Sequence, residues 1–211
     1  MHAVRRSVVL ALGVVAAPAL GAQDLQQVCS SVGKVTVGQW ASYSGSGGQM
    51  NGVTLRLAIV DSERHGDTTL YWFEINHGST GDAGRGEILQ LLVPGFGLDA
   101  SEVRSAIVKL GAAPAVRVDQ MLPLVSGRLG QSNPALEFAR RCAGSHALGW
   151  ETVAVPAGRI RALHARDAEG WEAWVSPDVP FGFVQLHATD GGQLVLTGKG
   201  ADAKSSIAVR P

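Results

Sequence analysis

From residue 34 onward the chain alternates apolar and polar positions with a period of two, the spacing of half-buried β-strands. Lys34–Tyr43 puts Val35, Val37, Gln39, Ala41 and Tyr43 on one face. A Ser/Gly-rich turn, Ser44–Gly48, separates it from Val53–Asp61, where Val53, Leu55, Leu57 and Ile59 share a face and Arg56 points away. The polar turn Glu63–Asp67 leads into Thr68–Asn76, with Tyr71, Phe73 and Ile75 opposite Trp72 and Glu74; Glu87–Val93 follows after another Gly-rich turn. Such runs, separated by Gly, Asp and Ser, predict an antiparallel meander.

The last third returns to the same pattern in Trp150–Val155, Gly158–Arg166, Trp171–Val175, Phe181–Thr189 and Gln193–Gly198. Asp167–Gly170 and Thr189–Gly192 are hairpin turns, since their glycines tolerate the positive φ that such turns demand. Between the two β-rich parts, Asp99–Ser101 starts a short helical turn, Val103–Leu110 is rich in β-branched residues and Gln120–Gln131 is a connection. Ser132-Asn133-Pro134 pairs a cap residue with proline at the first helical position, predicting a helix over Pro134–Cys142 that stops near Gly144. Helical spacing of Leu25, Val28 and Val32 predicts a short helix over Asp24–Val32. About nine or more strands with one or two short helices exclude a parallel βαβ fold. The expectation is a mainly β protein: one curved antiparallel sheet or half-open β-barrel.

The first 22 residues break the pattern. Arg5 and Arg6 precede the apolar run Val8–Ala17, Pro18 ends it, and Leu20-Gly21-Ala22 offers small residues for cleavage before Gln23. This is the layout of a secretion signal, and the run is shorter than the ~20 residues of a membrane span. Residues 1–22 are therefore expected to be removed, leaving 23–211 as one exported, soluble and most simply periplasmic domain. Both cysteines, Cys29 and Cys142, lie in the exported part, where an oxidising compartment favours a structural disulfide between them. Cys-x-x-Cys spacing, the mark of a redox pair, is absent.

Charge adds little. The full chain carries 18 Lys+Arg and 18 Asp+Glu; removing Arg5 and Arg6 leaves 16 basic against 18 acidic side chains, a net charge of −2. That is too small to steer a partner and argues against nucleic acid, which requires a basic face.

The segments Glu151–Ile160 (ETVAVPAGRI) and Trp174–Val184 (WVSPDVPFGFV) carry a V-P-A-G-x-[FI] … W-x-S-P-x-V-P-x-G pattern. With Val37–Tyr43 and Tyr71–Ile75, they resemble an uncharacterised exported bacterial family related to the lipoprotein-carrier (LolA- and LppX-like) half-barrel superfamily. That resemblance implies a half-open barrel whose concave face holds an acyl chain or other apolar ligand.

Catalytic chemistry is sparse. G-x-S-x-G and H-E-x-x-H are absent, and Ser46 falls in a Gly-rich turn. The near-match to a phosphate loop at Gly192…Gly198-Lys199 has the wrong spacing and reads better as a sheet end. His164 and His187 on neighbouring strands, joined by Asp167 or Glu172, form the one metal arrangement to weigh. Glu74 and Glu87 form the one acid–base pair. In both cases ordinary strand-face side chains are the better account. No enzyme activity, cofactor or metal is expected. The five tryptophans suit core packing first and a groove second. The concave, ligand-facing set is expected to be Leu57, Ile59, Tyr71, Phe73, Trp174 and Phe183, lining a groove for a lipid-like or other apolar small molecule. The alternative is a non-enzymatic structural or interaction module of the cell envelope, partnered by an envelope protein.

Overall fold

The computed structural model describes residues 25–29, 34–81, 86–95, 102–122, 141–142 and 144–207. The expected signal segment, the expected helical turn at Asp99–Ser101, most of the expected Pro134–Cys142 helix and most of the Gln120–Gln131 connection lie outside them. Among the described residues eleven strands form one antiparallel sheet: β1 (Trp40–Ser46), β2 (Val53–His65), β3 (Thr68–Ser79), β4 (Glu87–Val93), β5 (Ser105–Leu110), β6 (Val116–Arg117), β7 (His146–Val155), β8 (Gly158–Arg166), β9 (Glu172–Val175), β10 (Phe183–His187) and β11 (Gln193–Gly200). Their spatial order is β6-β5-β4-β3-β2-β1-β11-β10-β9-β8-β7. Two meanders are thus zipped together by one non-sequential pairing, β1 with β11, and β6 and β7 are the outer edges.

The sheet is strongly curved. At about 4.8 Å per strand, β3 and β10 would lie roughly 19 Å apart in a flat sheet. Yet the Phe73 ring on β3 meets that of Phe181, just before β10, with centroids 5.7 Å apart. The Ala157 N–H at the β7–β8 tip also donates to the Leu196 carbonyl of β11, with β9 and β10 between them in the sheet order. Register shifts between Ser42 and Tyr43, Ile59 and Asp61, Ala147 and Gly149, and Phe183 and Gln185 mark where the strands bend, because a bulge increases local twist.

Alternation sorts the side chains as the period predicts. Leu57, Ile59, Phe73, Ile75, Leu91, Val93 and Ala106 build the main core with Val175, Phe183 and Leu196. Leu70, Trp72, Leu92 and Ile107 form a smaller cluster on the opposite face of β3–β5, covered by Ile207. Leu25 and Val28 of helical residues 25–29 are buried against the main core, as their spacing predicts.

Several strand limits shift for physical reasons. The first strand starts at Trp40 instead of Lys34, because Gly38 (φ +94°) turns the chain and donates to Ile59 O. It runs on through Ser44 and Ser46, which pair with Val195 and Gln193, so the turn lies beyond them. The β2–β3 hairpin stays paired out to His65 and Thr68, which leaves a two-residue tip in place of the longer expected turn. Phe181 adopts φ +63°, so the strand expected from Phe181 begins at Phe183. The Gly170 and Gly191 turns form with positive φ where expected.

Candidate functional site

A cavity of about 240 Å³ lies on the main-core face near the end of the sheet that carries the β1–β2, β8–β9 and β10–β11 turns. It runs across the strands from Leu55 of β2 and Tyr43 of β1, through Leu194 of β11 and Leu186 of β10, to Ala173 of β9 and Ala165 of β8. The register sets Leu55 beside Tyr43, Leu194 beside Leu186, Leu186 beside Ala173 and Ala173 beside Ala165. Two facing alanines where neighbouring strands carry leucine leave unfilled volume in the floor. Val175 and Phe183 form its deeper wall. The Tyr43 hydroxyl donates to Phe183 O, and burial pushes its ionisation far above the usual phenol range, so it stays neutral.

Arg141, Cys142 and Ser145 close the cavity from above. The Cys29–Cys142 disulfide is formed, with Cα atoms 6.0 Å apart, and ties this segment to the helical residues 25–29. Ser145 Oγ donates to Arg141 O at 2.7 Å. Beside the roof, the Arg141 guanidinium lies 4.3 Å from the Trp171 ring centroid and is paired with Asp167 and Glu169. Asp167 Oδ1 accepts the Glu169 and Trp171 N–H groups at 2.9 and 3.0 Å. Burial alone would raise the Asp167 carboxyl, but the Arg141 and backbone donors outweigh it and hold it below the usual carboxylate range. The cavity is therefore apolar along its length and polar at the β8 end.

Of the six residues expected to face a ligand, the structure places Phe183 in the cavity wall. Leu57, Ile59 and Phe73 are 0%, 0% and 3% exposed and belong to solid core. Tyr71 is half-buried at the margin of that core. Trp174 stands on the opposite side of β9 from Ala173 and Val175; its ring stacks on His164 at 4.2 Å, and Nε1 donates to Glu151. The rest of the cavity lining lies outside the expected set, including Tyr43 and Leu55 of the first strands, Ala173, Leu186 and Leu194 of the C-terminal ones, and the roof. Cross-strand small residues were the available signal.

His164 on β8 and His187 on β10 are not on neighbouring strands, as β9 lies between them, although Glu172 does lie beside His164. The Trp174 indole packs against both His164 and, edge-on at 4.7 Å, His187. His164 Nδ1 and Nε2 each lie 3.3 Å from a carboxylate oxygen, of Glu151 and Glu172, while Asp167 turns to Arg141. Among the described residues no group of three or more His, Cys, Asp or Glu is placed to hold a metal. Glu74 is fully buried on the second face, accepting hydrogen bonds from Gln90 Nε2 (2.7 Å), the Ser206 N–H (3.0 Å) and the Ser206 hydroxyl. Arg56 adds an ion pair to Glu74 at 3.6 Å, and Glu87 lies exposed across from His77. Ser46 pairs with Gln193 within the sheet. Lys199 donates to Asp178 O at 2.6 Å.

Among the described residues no helix is long and apolar enough to cross a membrane. No protein-family model and no curated protein matches the chain. Solved structures to which the chain is similar include the following two. One is a predicted exported protein of Bacteroides fragilis with a YmcC-like fold: 9% identity, TM-score 0.36, covering 78% of this chain and 96% of that one. The other is a predicted lipoprotein of Parabacteroides distasonis: 10% identity, TM-score 0.38, covering 80% of this chain and 98% of that one.

Proposed function

We propose that this is an exported, non-enzymatic protein that holds one single-chain amphiphile in the cavity between its curved sheet and the Cys142 segment. The observation that carries the reading is that cavity, apolar along its length and polar at one end. An apolar hole of about 150 Å³ stays dry and admits a benzene ring. The roughly 240 Å³ here therefore suits an alkyl chain of about ten carbons on the same scale. Water entering it would find few hydrogen-bond partners, which favours an apolar occupant. The Arg141–Asp167 pair and Ser145 are the groups on which a polar head would rest. The signal segment and the disulfide both support export, since such bridges persist in oxidising compartments. The lipoprotein-carrier resemblance points the same way.

Ala173→Leu fills the floor. Wild type is expected to take up a medium-chain fluorescent fatty acid in a saturable manner, and Ala173→Leu to lose that uptake while retaining its far-UV β signature. Absence of saturable uptake by wild type would reject the ligand-binding reading and favour the structural module of the envelope.

A further inference from the structure

Met50 forms the end of the cavity opposite the Arg141–Asp167 pair, on the β1–β2 side beside Leu55. Its position is built. The 3-10 turn Gly48–Met50 folds back so that Met50 N–H donates to Gly47 O at 3.0 Å and Gly52 N–H to Gly45 O at 3.2 Å. The turn is latched to the β10–β11 hairpin by Asp190, whose carboxylate accepts the Gln49 N–H and the Gly192 N–H, both at 2.9 Å. Those same donors hold the Asp190 carboxyl below its usual range, so the latch is charged at neutral pH.

Two glycines make room for the arrangement. A Cβ on Gly48 would meet the Asp190 carboxylate at 2.5 Å, and one on Gly192 would sit 3.2 Å from Met50 Cγ. Gly48 also takes φ +44°, a conformation that favours glycine. Asp190, Gly48 and Gly192 thus fix the backbone that carries Met50. Its side chain is an unbranched thioether with several rotatable bonds, suited to close against a chain terminus.

Resting on the ligand-binding reading above, we propose that Met50 is the tail stop that sets the length of alkyl chain the cavity accepts, with Asp190 as its positioning residue. The ligand then lies across the strands, its head at Arg141–Asp167 and its methyl end against Met50 and Leu55.

The test is a homologous series of straight-chain saturated alcohols and fatty acids competing with the fluorescent fatty acid. Wild type should show a sharp optimum of chain length. Met50→Ala removes three heavy atoms and should move that optimum about three carbons longer. Each added methylene then gains roughly fourfold in affinity up to the new limit, where wild type gains none. Met50→Leu keeps most of the volume and should keep the optimum. Asp190→Ala should broaden the optimum without removing binding of the shorter chains. A wild type that binds the series, together with a Met50→Ala optimum unchanged, would overturn the tail stop and leave the ligand-binding reading intact. A wild type that binds no member overturns both.

Discussion

Asp167 spends one carboxylate oxygen on the Glu169 and Trp171 N–H groups and the other on Arg141, so the β8–β9 turn and the cavity roof share one anion. Its folded pKa lies below the unfolded value of about 3.9, so the charged form is bound more tightly by the native state. The resulting stabilisation is complete above that unfolded value and is lost as pH falls through the folded one. Unfolding measured from pH 6 down to pH 2 should show wild type converging on Asp167→Asn at the acid end. A constant gap between them would mean that the Arg141 contact contributes nothing through charge. Leu57 shows the opposite kind of residue-scale effect. Alternation alone places it with Ile59 and Phe73 and cannot tell a groove wall from a packed interior. At 0% exposure it is interior. Leu57→Trp should therefore overpack the core and cost about 1–3 kcal/mol in denaturant unfolding, with a much smaller effect on cavity volume.

At the scale of elements, the least foreseeable piece is the segment after β11. Ser205, Ser206 and Ile207 lie over the second face of the sheet: Ser206 donates twice to Glu74, Gln90 bridges Glu74 and Ser205 Oγ, and Ile207 caps the Trp72–Leu92–Ile107 cluster. Burial of an isoleucine side chain is worth about 1.5–3 kcal/mol, and a buried carboxylate left without its donors is costly. Ile207→Ala should lower stability by about 2 kcal/mol. Glu74→Ala should speed amide exchange of residues 203–207 ahead of the sheet, and uniform exchange across both would reject a separable strap. Nothing in the alternation announces this, since the segment has no period and its partners are a hundred or more residues away. The strands themselves are far more legible. Glu87–Val93 and Gly158–Arg166 have the limits their patterns predict. Where limits move, a local feature invisible to a period-two count decides, such as the positive φ of Gly38 or Phe181. The Gly198 and Gly200 pair also acquires a physical reason only in three dimensions. The Trp40 indole lies across both, and a Cβ on Gly200 would approach Trp40 Nε1 to 2.5 Å.

For the whole molecule, the deciding fact is that the two edges of the sheet, β6 and β7, are consecutive among the described strands yet lie at opposite ends of the order. Arg141–Cys142, shortly before β7, line the cavity together with strands from β2 to β8 of that order. Sequence alone supplies the two cysteines and a compartment that would join them; it does not show that their bridge closes a cavity, because that depends on how far the sheet curves. The Cys29–Cys142 disulfide spans 113 residues and fastens helical residues 25–29 to the roof. Closing a loop of that size constrains the unfolded chain by about 4–5 kcal/mol in the entropy model, and loss of a native bridge typically costs about 2–5 kcal/mol. Breaking it here has a second, separable consequence. Curvature comes from strand pairing and bulges, none of which involves either cysteine, so the sheet should survive reduction while the roof loosens. In wild type treated with a thiol reductant, and in Cys29→Ser/Cys142→Ser, affinity for the fluorescent fatty acid should fall by about tenfold or more, equivalent to 1.4 kcal/mol or more. Far-UV circular dichroism should stay that of a β-sheet, with a lower denaturation midpoint. Equal affinity in the oxidised and reduced protein would mean that the Cys142 segment keeps its place by packing and by Arg141 alone, and that the bridge acts on stability without shaping the cavity.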